Sequence, residues 1–419
     1  MKSQSIRSAF KNRPALKIRL LAVSLLGLTA AALLYYPSLM SAERGVPDQP
    51  VQQPAVLGMP DSAQTPVIEA VFVLDTTGSM GGLIQAAKDK IWSIATSMAS
   101  AQPAPEIRMG LVAYRDRGDD YVTRVVDLSS DLDAIQAQLM RFQAQGGGDG
   151  PESVNLALND ALHRIGWSQG AGVYRVIFLV GDAEAHMDYQ DEAQYPAILK
   201  QARRQGIRIN AIQCGDLSGT QEQWRHIAQL GDGSYFQVGQ SGSAVAIATP
   251  FDETLAKLGA DLDDTRLYYG AADERAHKRD KLAATKAVQA EASAASQARR
   301  AEYASTKSGA AGLLGDKELI EEVSTGRLAL EDLPAEQLPE PLKALEVEQQ
   351  RELIANQAAK RDALRQEIQR VSAERAKYLK DRLSESGDAE SSLDNKIFGA
   401  VREQGADVGL SFGSAAPAY

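Results

Sequence analysis

Three short stretches of this 419-residue chain carry side chains that could do chemistry. In the first, the apolar run "VIEAVFVL" ends abruptly in Asp75-Thr76-Thr77-Gly78-Ser79. The second is "GGGDGPES", from Gly146 to Ser153, and the third is Gly181-Asp182 directly after "VIFLV". Together they offer carboxylates and hydroxyls with almost no nitrogen or sulfur. Such donors suit a hard divalent cation (Mg²⁺ first, Mn²⁺ or Ca²⁺ as alternatives) rather than zinc. The glycines allow close backbone approach. A bland alternative stands beside this one. Asp and Ser often close the first turn of a helix, and Asp149 could be an ordinary loop acid in a glycine turn.

Other chemistries find less support. Ser79 lacks the G-x-S-x-G frame of a hydrolase elbow, and no base is placed near it by sequence. Neither glycine run ends in the Gly-Lys-Ser/Thr of a phosphate loop. The histidines, His163, His186, His226 and His277, are scattered without zinc-binding spacing. The lone cysteine, Cys214, excludes an intrachain disulfide, and in "RINAIQCG" it reads as an inert core thiol. His186 and Asp188 in "AEAHMD" read as solvated loop residues near the site's rim. Arg117-Gly118-Asp119 reads as a tight turn after a strand rather than a recognition tripeptide.

The elements that must position these loops alternate between strand and helix. Val67–Leu74 is a near-continuous apolar run, the mark of a strand buried on both faces. Helical spacing follows over Leu83–Met98. "IRMGLVAYRD" and "YVTRVVDL" read as strands, and "DLDAIQAQLMRF" as a helix capped by Ser130 or Asp131. "ESVNLALNDALHRI", "YPAILKQARRQG" and "QEQWRHIAQLG" are helical, with "YRVIFLVGD", "IRINAIQC" and "GSYFQVG" as the intervening strands. About 180 residues of this alternation predict an α/β domain, a mostly parallel sheet with helices on both faces. In such a sheet ligands bind beyond the carboxyl ends of the strands, where all three oxygen-rich stretches fall.

These residues resemble the von Willebrand factor A (VWA) domain family over roughly Val67 to Phe251. The motif "DTTGS", a glycine-rich loop and a strand-end aspartate follow the order and spacing of that family's metal-ion-dependent adhesion site (MIDAS). The resemblance implies a Rossmann-like sheet with a metal at its top edge. It places Asp75, Thr77 and Ser79 on the Asp-x-Ser/Thr-x-Ser signature, and Asp182 on the third-loop aspartate. It also implies that a partner protein's carboxylate fills the open coordination position. The second loop departs from the family, with Asp149 where a threonine is usual. Three carboxylates would hold a cation more firmly but leave it less attractive to an acidic ligand.

Beyond Gly270 the chain turns Ala-, Lys-, Glu- and Arg-rich and strongly helix-forming. From Glu346 to about Leu383, Ile354, Leu364, Ile368, Val371 and Tyr378 share one face, but Gln357, Arg361 and Arg375 interrupt it. A helix packing within its own protein is favoured over a dimeric coiled coil. At the other end, six Lys and Arg residues precede the uncharged run Leu20–Tyr36. That pattern is an export signal, either a retained membrane anchor or a signal peptide cut after Ala42, with the bulk of the protein extracytoplasmic.

The expected organisation is a signal or anchor over 1–42, a Pro/Gln-rich linker over 43–65, and the α/β domain over 66–255. A helical region over 256–400 and a flexible tail over 401–419 complete it. The balance of 55 acids against 45 bases argues against a nucleic-acid partner. The expected function is a non-enzymatic cell-envelope module that binds a protein partner through a divalent cation. The alternative is a scaffold whose metal only stiffens loops while the C-terminal helices make the contact.

Overall fold

A computed structural model describes residues 65–148, 150–170, 172–242, 247–386 and 392–413. The expected anchor or signal peptide and nearly all of the linker lie outside the described residues, as does Asp149. Among the described residues no helix is long and apolar enough to cross a membrane.

Among the described residues, six strands form one sheet: β1 (Val67–Asp75), β2 (Glu106–Tyr114), β3 (Thr123–Ser129), β4 (Val173–Gly181), β5 (Ile207–Cys214) and β6 (Tyr235–Val238). Their order is β3-β2-β1-β4-β5-β6, with β3 the antiparallel edge and all other pairings parallel. The central strand is buried on both faces, as its unbroken apolar run requires. β3, half-buried with only Arg124 and Asp127 exposed, mixes polar and apolar residues.

Period-two alternation divides the core. Ile68, Ala70, Phe72 and Leu74 face one side with α1 (Gly81–Ala99) and α2 (Leu132–Met140). Val71 and Val73 face the other with α3 (Val154–His163), α4 (Tyr195–Arg204) and α5 (Ser218–Leu230). Local signals set several ends. Asp131 caps α2 through Ala134 N, Pro196 opens α4, and Gly206, at φ +68°, takes the left-handed turn that ends it.

The C-terminal third is helical: α6 (Asp252–Asp263), α7 (Ala272–Glu291), α8 (Ala294–Ser305), α9 (Lys307–Leu314), α10 (Leu319–Ser324), α11 (Glu340–Lys343), α12 (Val347–Ser386) and α13 (Leu393–Gly405). These helices share the core of the sheet's first face. Ala298, Ala301 and Tyr303 of α8, Ile368 and Val371 of α12, and Leu393, Ile397 and Val401 of α13 are all buried there. A smaller core gathers Leu319, Ile320, Leu330, Leu342 and Ile354. Residues 401–413, expected within a flexible tail, are instead ordered. Val401 and Leu410 are buried, and Ser411 and Gln102 exchange backbone hydrogen bonds of 2.9 and 2.8 Å.

Buried ion pairs fix this docking. Arg300 of α8 lies between Asp133 of α2 and Asp263 of α6, at 2.6 and 2.8 Å. Arg361 pairs with Glu318 at 2.9 Å and donates to Thr265 O, and Arg375 pairs with Asp252 at 2.7 Å. The two arginines that break the apolar seam of α12 are therefore its anchors to neighbouring helices of the same chain. Burial opposes the charge on Asp133, yet Arg300 holds its carboxyl below the usual range. Replacing Arg300 by Met would take the ion-pair partner from buried Asp133 and leave Asp263 with Arg266 alone. The expected loss is about 3–5 kcal/mol, read as a lower urea midpoint at unchanged slope, and a loss under about 1 kcal/mol would contradict it.

Candidate metal centre

Parallel pairing brings the oxygen-rich loops together at the carboxyl edge of the sheet. Asp75 pairs with Tyr114 and Leu74 with Val180, so Asp75 stands beside Gly181 and the segment leading to Asp182. Gly181 is required there. A Cβ would lie 2.4 Å from the Tyr114 hydroxyl and 3.0 Å from Asp75 Cβ.

Asp75 is fully buried. Its Oδ1 accepts from Thr77 N at 2.8 Å and from Thr77 Oγ1 at 2.6 Å. Its Oδ2 is buried without a hydrogen-bond partner. Thr77 Oγ1 lies 3.4 Å from Ser79 Oγ. Thr77 takes the N-cap position of a short 3₁₀ turn (Gly78–Met80) and Met80 that of α1, and neither makes a side-chain cap bond. The two hydroxyls are therefore not spent on capping a helix. They line a cleft of about 450 Å³ with Gly147, Glu152, Asp182 and Leu217.

The second loop is pinned from several sides. Gly78 N donates to Gly146 O at 3.0 Å and Gln145 N to Thr76 O at 3.1 Å. Arg115 reaches Thr76 O and Gln143 O. Gly147 N donates to Asp119 Oδ2 at 3.1 Å, and Gly146 and Gly147 both hold φ +78°. Asp119 thus holds the loop in place. Its neighbour Arg117 pairs with Asp191 and Glu192 and stacks over Tyr189, so the Arg-Gly-Asp stretch is committed to loop contacts. In the third loop, Gln240 Nε2 donates to Asp182 Oδ2 at 2.5 Å and Thr220 Oγ1 to Asp182 O at 3.0 Å.

The structure brings four of the five expected residues, Asp75, Thr77, Ser79 and Asp182, to one place. Sequence reasoning missed Glu152, Asp119 and Gln240. The second loop's acids were visible in "GGGDGPES", but nothing in the spacing told Glu152 from Asp149. His186 corrects an expectation. It is buried rather than solvated, stacked 4.0 Å from Tyr189, with Nδ1 2.8 Å from Asp188 Oδ1 and Nε2 3.4 Å from Asp116 Oδ2. Cys214 is a buried thiol, pushed up by burial and then by Asp182 and Asp75, and so inert as expected.

Burial and like charge together oppose ionisation at this edge. Burial pushes Asp75 up to about 7, with Asp182 adding to the rise. Burial, then Asp75, Asp116, Asp119 and Asp182, push Glu152 up to about 9, and its Oε2 is also buried without a partner. Among the described residues, no three carboxylate, imidazole or thiolate side chains form a ready cage. The donor set is mixed, carboxylate with hydroxyl. All-oxygen donors with two unsatisfied acids fit a hard divalent cation.

Residues 69–250 match the family model of the von Willebrand factor A domain. Among curated proteins the chain is similar to human von Willebrand factor A domain-containing protein 7, 39% identical over 98 residues. That stretch is 23% of this chain and 10% of the human protein, and the rat counterpart gives the same figures. Among solved structures, BatB of Bacteroides thetaiotaomicron is 19% identical, with a TM-score of 0.32, over 42% of this chain and 93% of that one. The SpRpn10 VWA domain is 15% identical, with a TM-score of 0.33, over 42% and 89%. Proximal thread matrix protein 1 of the mussel byssus, with a zinc-occupied MIDAS motif, is 17% identical, with a TM-score of 0.31, over 41% and 42%.

A carboxyl whose folded pKa is raised favours the fold while protonated and weakens it as it ionises. Asp75 and Glu152, raised to about 7 and about 9, should therefore lower stability in chelator as pH climbs from about 4 through those values. Asp75→Asn should match the wild type near pH 4 and melt higher than it above pH 7. Thermal melts across that range check this, and a constant difference between the two proteins would contradict it.

Proposed function

We propose that residues 69–250, a von Willebrand factor A domain, hold a divalent cation on Asp75, Thr77, Ser79 and Asp182 and dock a protein partner through it. One observation carries the reading. Asp75 spends one oxygen on Thr77 and keeps the other buried without a partner, beside two hydroxyls that cap no helix. The second-loop ligand expected at Asp149 lies outside the described residues. A bound cation would act as a Lewis acid for a donor group of the partner. The chain's own residues do the positioning. Asp75 orients Thr77, Gln240 orients Asp182, and Asp119 holds the glycine loop that walls the cleft.

The function is binding rather than turnover, and its place is extracytoplasmic. That placement rests on the basic and apolar N-terminal sequence alone. Oxygen donors favour Mg²⁺, with Mn²⁺ and Ca²⁺ next. The competing reading makes the cation a stiffener of three loops and gives the partner to the C-terminal helices. The outer face of α12, lined by exposed, ion-paired Glu367, Arg370 and Glu374, favours it.

Because the helices share the sheet's core, point variants separate these readings better than truncation does. A cation at about 100 times its dissociation constant should stabilise the native chain by roughly 2.7 kcal/mol. Melts of the chelated wild type with Mg²⁺, Mn²⁺, Ca²⁺ or Zn²⁺ added back should show the rise, and Asp75→Ala should not respond. No response from the wild type would sink the metal reading. Partner capture that survives both chelation and Asp75→Ala would instead favour the helices.

A further inference from the structure

We propose that Glu152 is the second-loop acid that serves the cation, acting on ion-bound water rather than joining Asp75 and Asp182 in a direct cage. The inference rests on the metal reading above and deepens it. Glu152 is 3% exposed and its side chain lines the same cleft as Thr77, Ser79 and Asp182. Its Oε1 lies 3.2 Å from where a Cβ on Gly147 would sit, against the glycine loop and next to Thr77. Its Oε2 is buried with no hydrogen-bond partner.

The backbone of Glu152 explains its placement without using the carboxylate. Glu152 N donates to Glu184 O at 2.8 Å, and its own carbonyl accepts from His186 N at 3.1 Å. These bonds bridge the second loop to the third and fix the direction of the side chain. A long, rotamer-rich acid held there with an oxygen unsatisfied costs stability unless something positive or proton-donating meets it. No described side chain meets Oε2. Water polarised by a divalent cation is a strong donor, and a carboxylate accepting from it supports the ion from its outer sphere. The absence, among the described residues, of three converging acids agrees with contact through water.

The role also bears on the partner. A carboxylate already facing the ion's hydration shell repels an incoming carboxylate and favours a neutral oxygen or hydrogen-bond donor. The test is calorimetric titration of the full-length chain with Mn²⁺, comparing wild type, Asp75→Asn, Glu152→Gln and Glu152→Thr. Outer-sphere partners typically contribute 10–100-fold in metal affinity. Both Glu152 variants should weaken Mn²⁺ by about that factor, and Asp75→Asn should abolish binding. Solvent-proton relaxation by bound Mn²⁺ should report the same number of coordinated waters in wild type and Glu152→Gln.

Unchanged or tighter binding in the Glu152 variants, with Asp75→Asn still silent, would overturn the role of Glu152 and leave the metal reading standing. A gain of one coordinated water in Glu152→Gln would make it a direct ligand and overturn contact through water. Wild type and Asp75→Asn behaving alike would bring down the metal reading and this inference with it.

Discussion

The site depends on burying one carboxylate at the tip of the central strand. Asp75 is sealed by Tyr114 and Gly181 on the adjoining strands and by its own bonds to Thr77. A charge in that position is unfavourable by itself, and the bonds from Thr77 offset only part of the cost of burial. The charged groups around it are acids, and Tyr114, whose hydroxyl is itself pushed up well beyond its ordinary value by burial and then by Asp75 and Glu152, has no hydrogen-bond partner. Every loop at this edge is arranged around that unresolved charge. Loops one and two are tied by Gly78–Gly146, and loops two and three by Glu152–Glu184.

A second constraint acts on the far side of the sheet. An open parallel sheet must cover both faces, and α1 and α2 are too few for the first. Helices from the C-terminal third finish the job, and buried arginines set where each one sits. Such pairs contribute little net energy against apolar replacements, but removing one partner is costly, so they favour a single docking geometry. Lys90 and Ser93 of α1 reach Asp394 of α13 in the same way, at 3.3 and 3.1 Å. The helix that follows the opening loop is thus clamped by α13, the last α-helix among the described residues.

Much of this was legible in the residues. The unbroken apolar run of β1, Pro196 and Gly206 around α4, and the DTTGS loop each carry local signals that tertiary context did not override. Glu152 was not legible, because sequence spacing cannot say which of two acids in a glycine-rich loop turns inward. That direction is set by an isolated bridge to the third loop 33 positions away, Glu152 to Ala185. His186 was misjudged for a related reason, since loop residues look solvated until the loops that bury them are known. Arg361 and Arg375 looked like flaws in an apolar seam because their acidic partners lie far off in sequence.

The return of the chain to Gln102 has a geometric consequence. Ser411 pairs there, and Glu106 N donates to Pro66 O, so both described ends of the chain lie at the amino edge of the strands. β1 runs nine residues from Val67 to Asp75, about 27 Å at the usual rise. A handle attached at either of those ends, whether a fusion partner or a solid support, meets the sheet across its full height from the cleft. The cleft then stays open to solvent, and whatever pulls on it loads the sheet along its strands rather than peeling them apart.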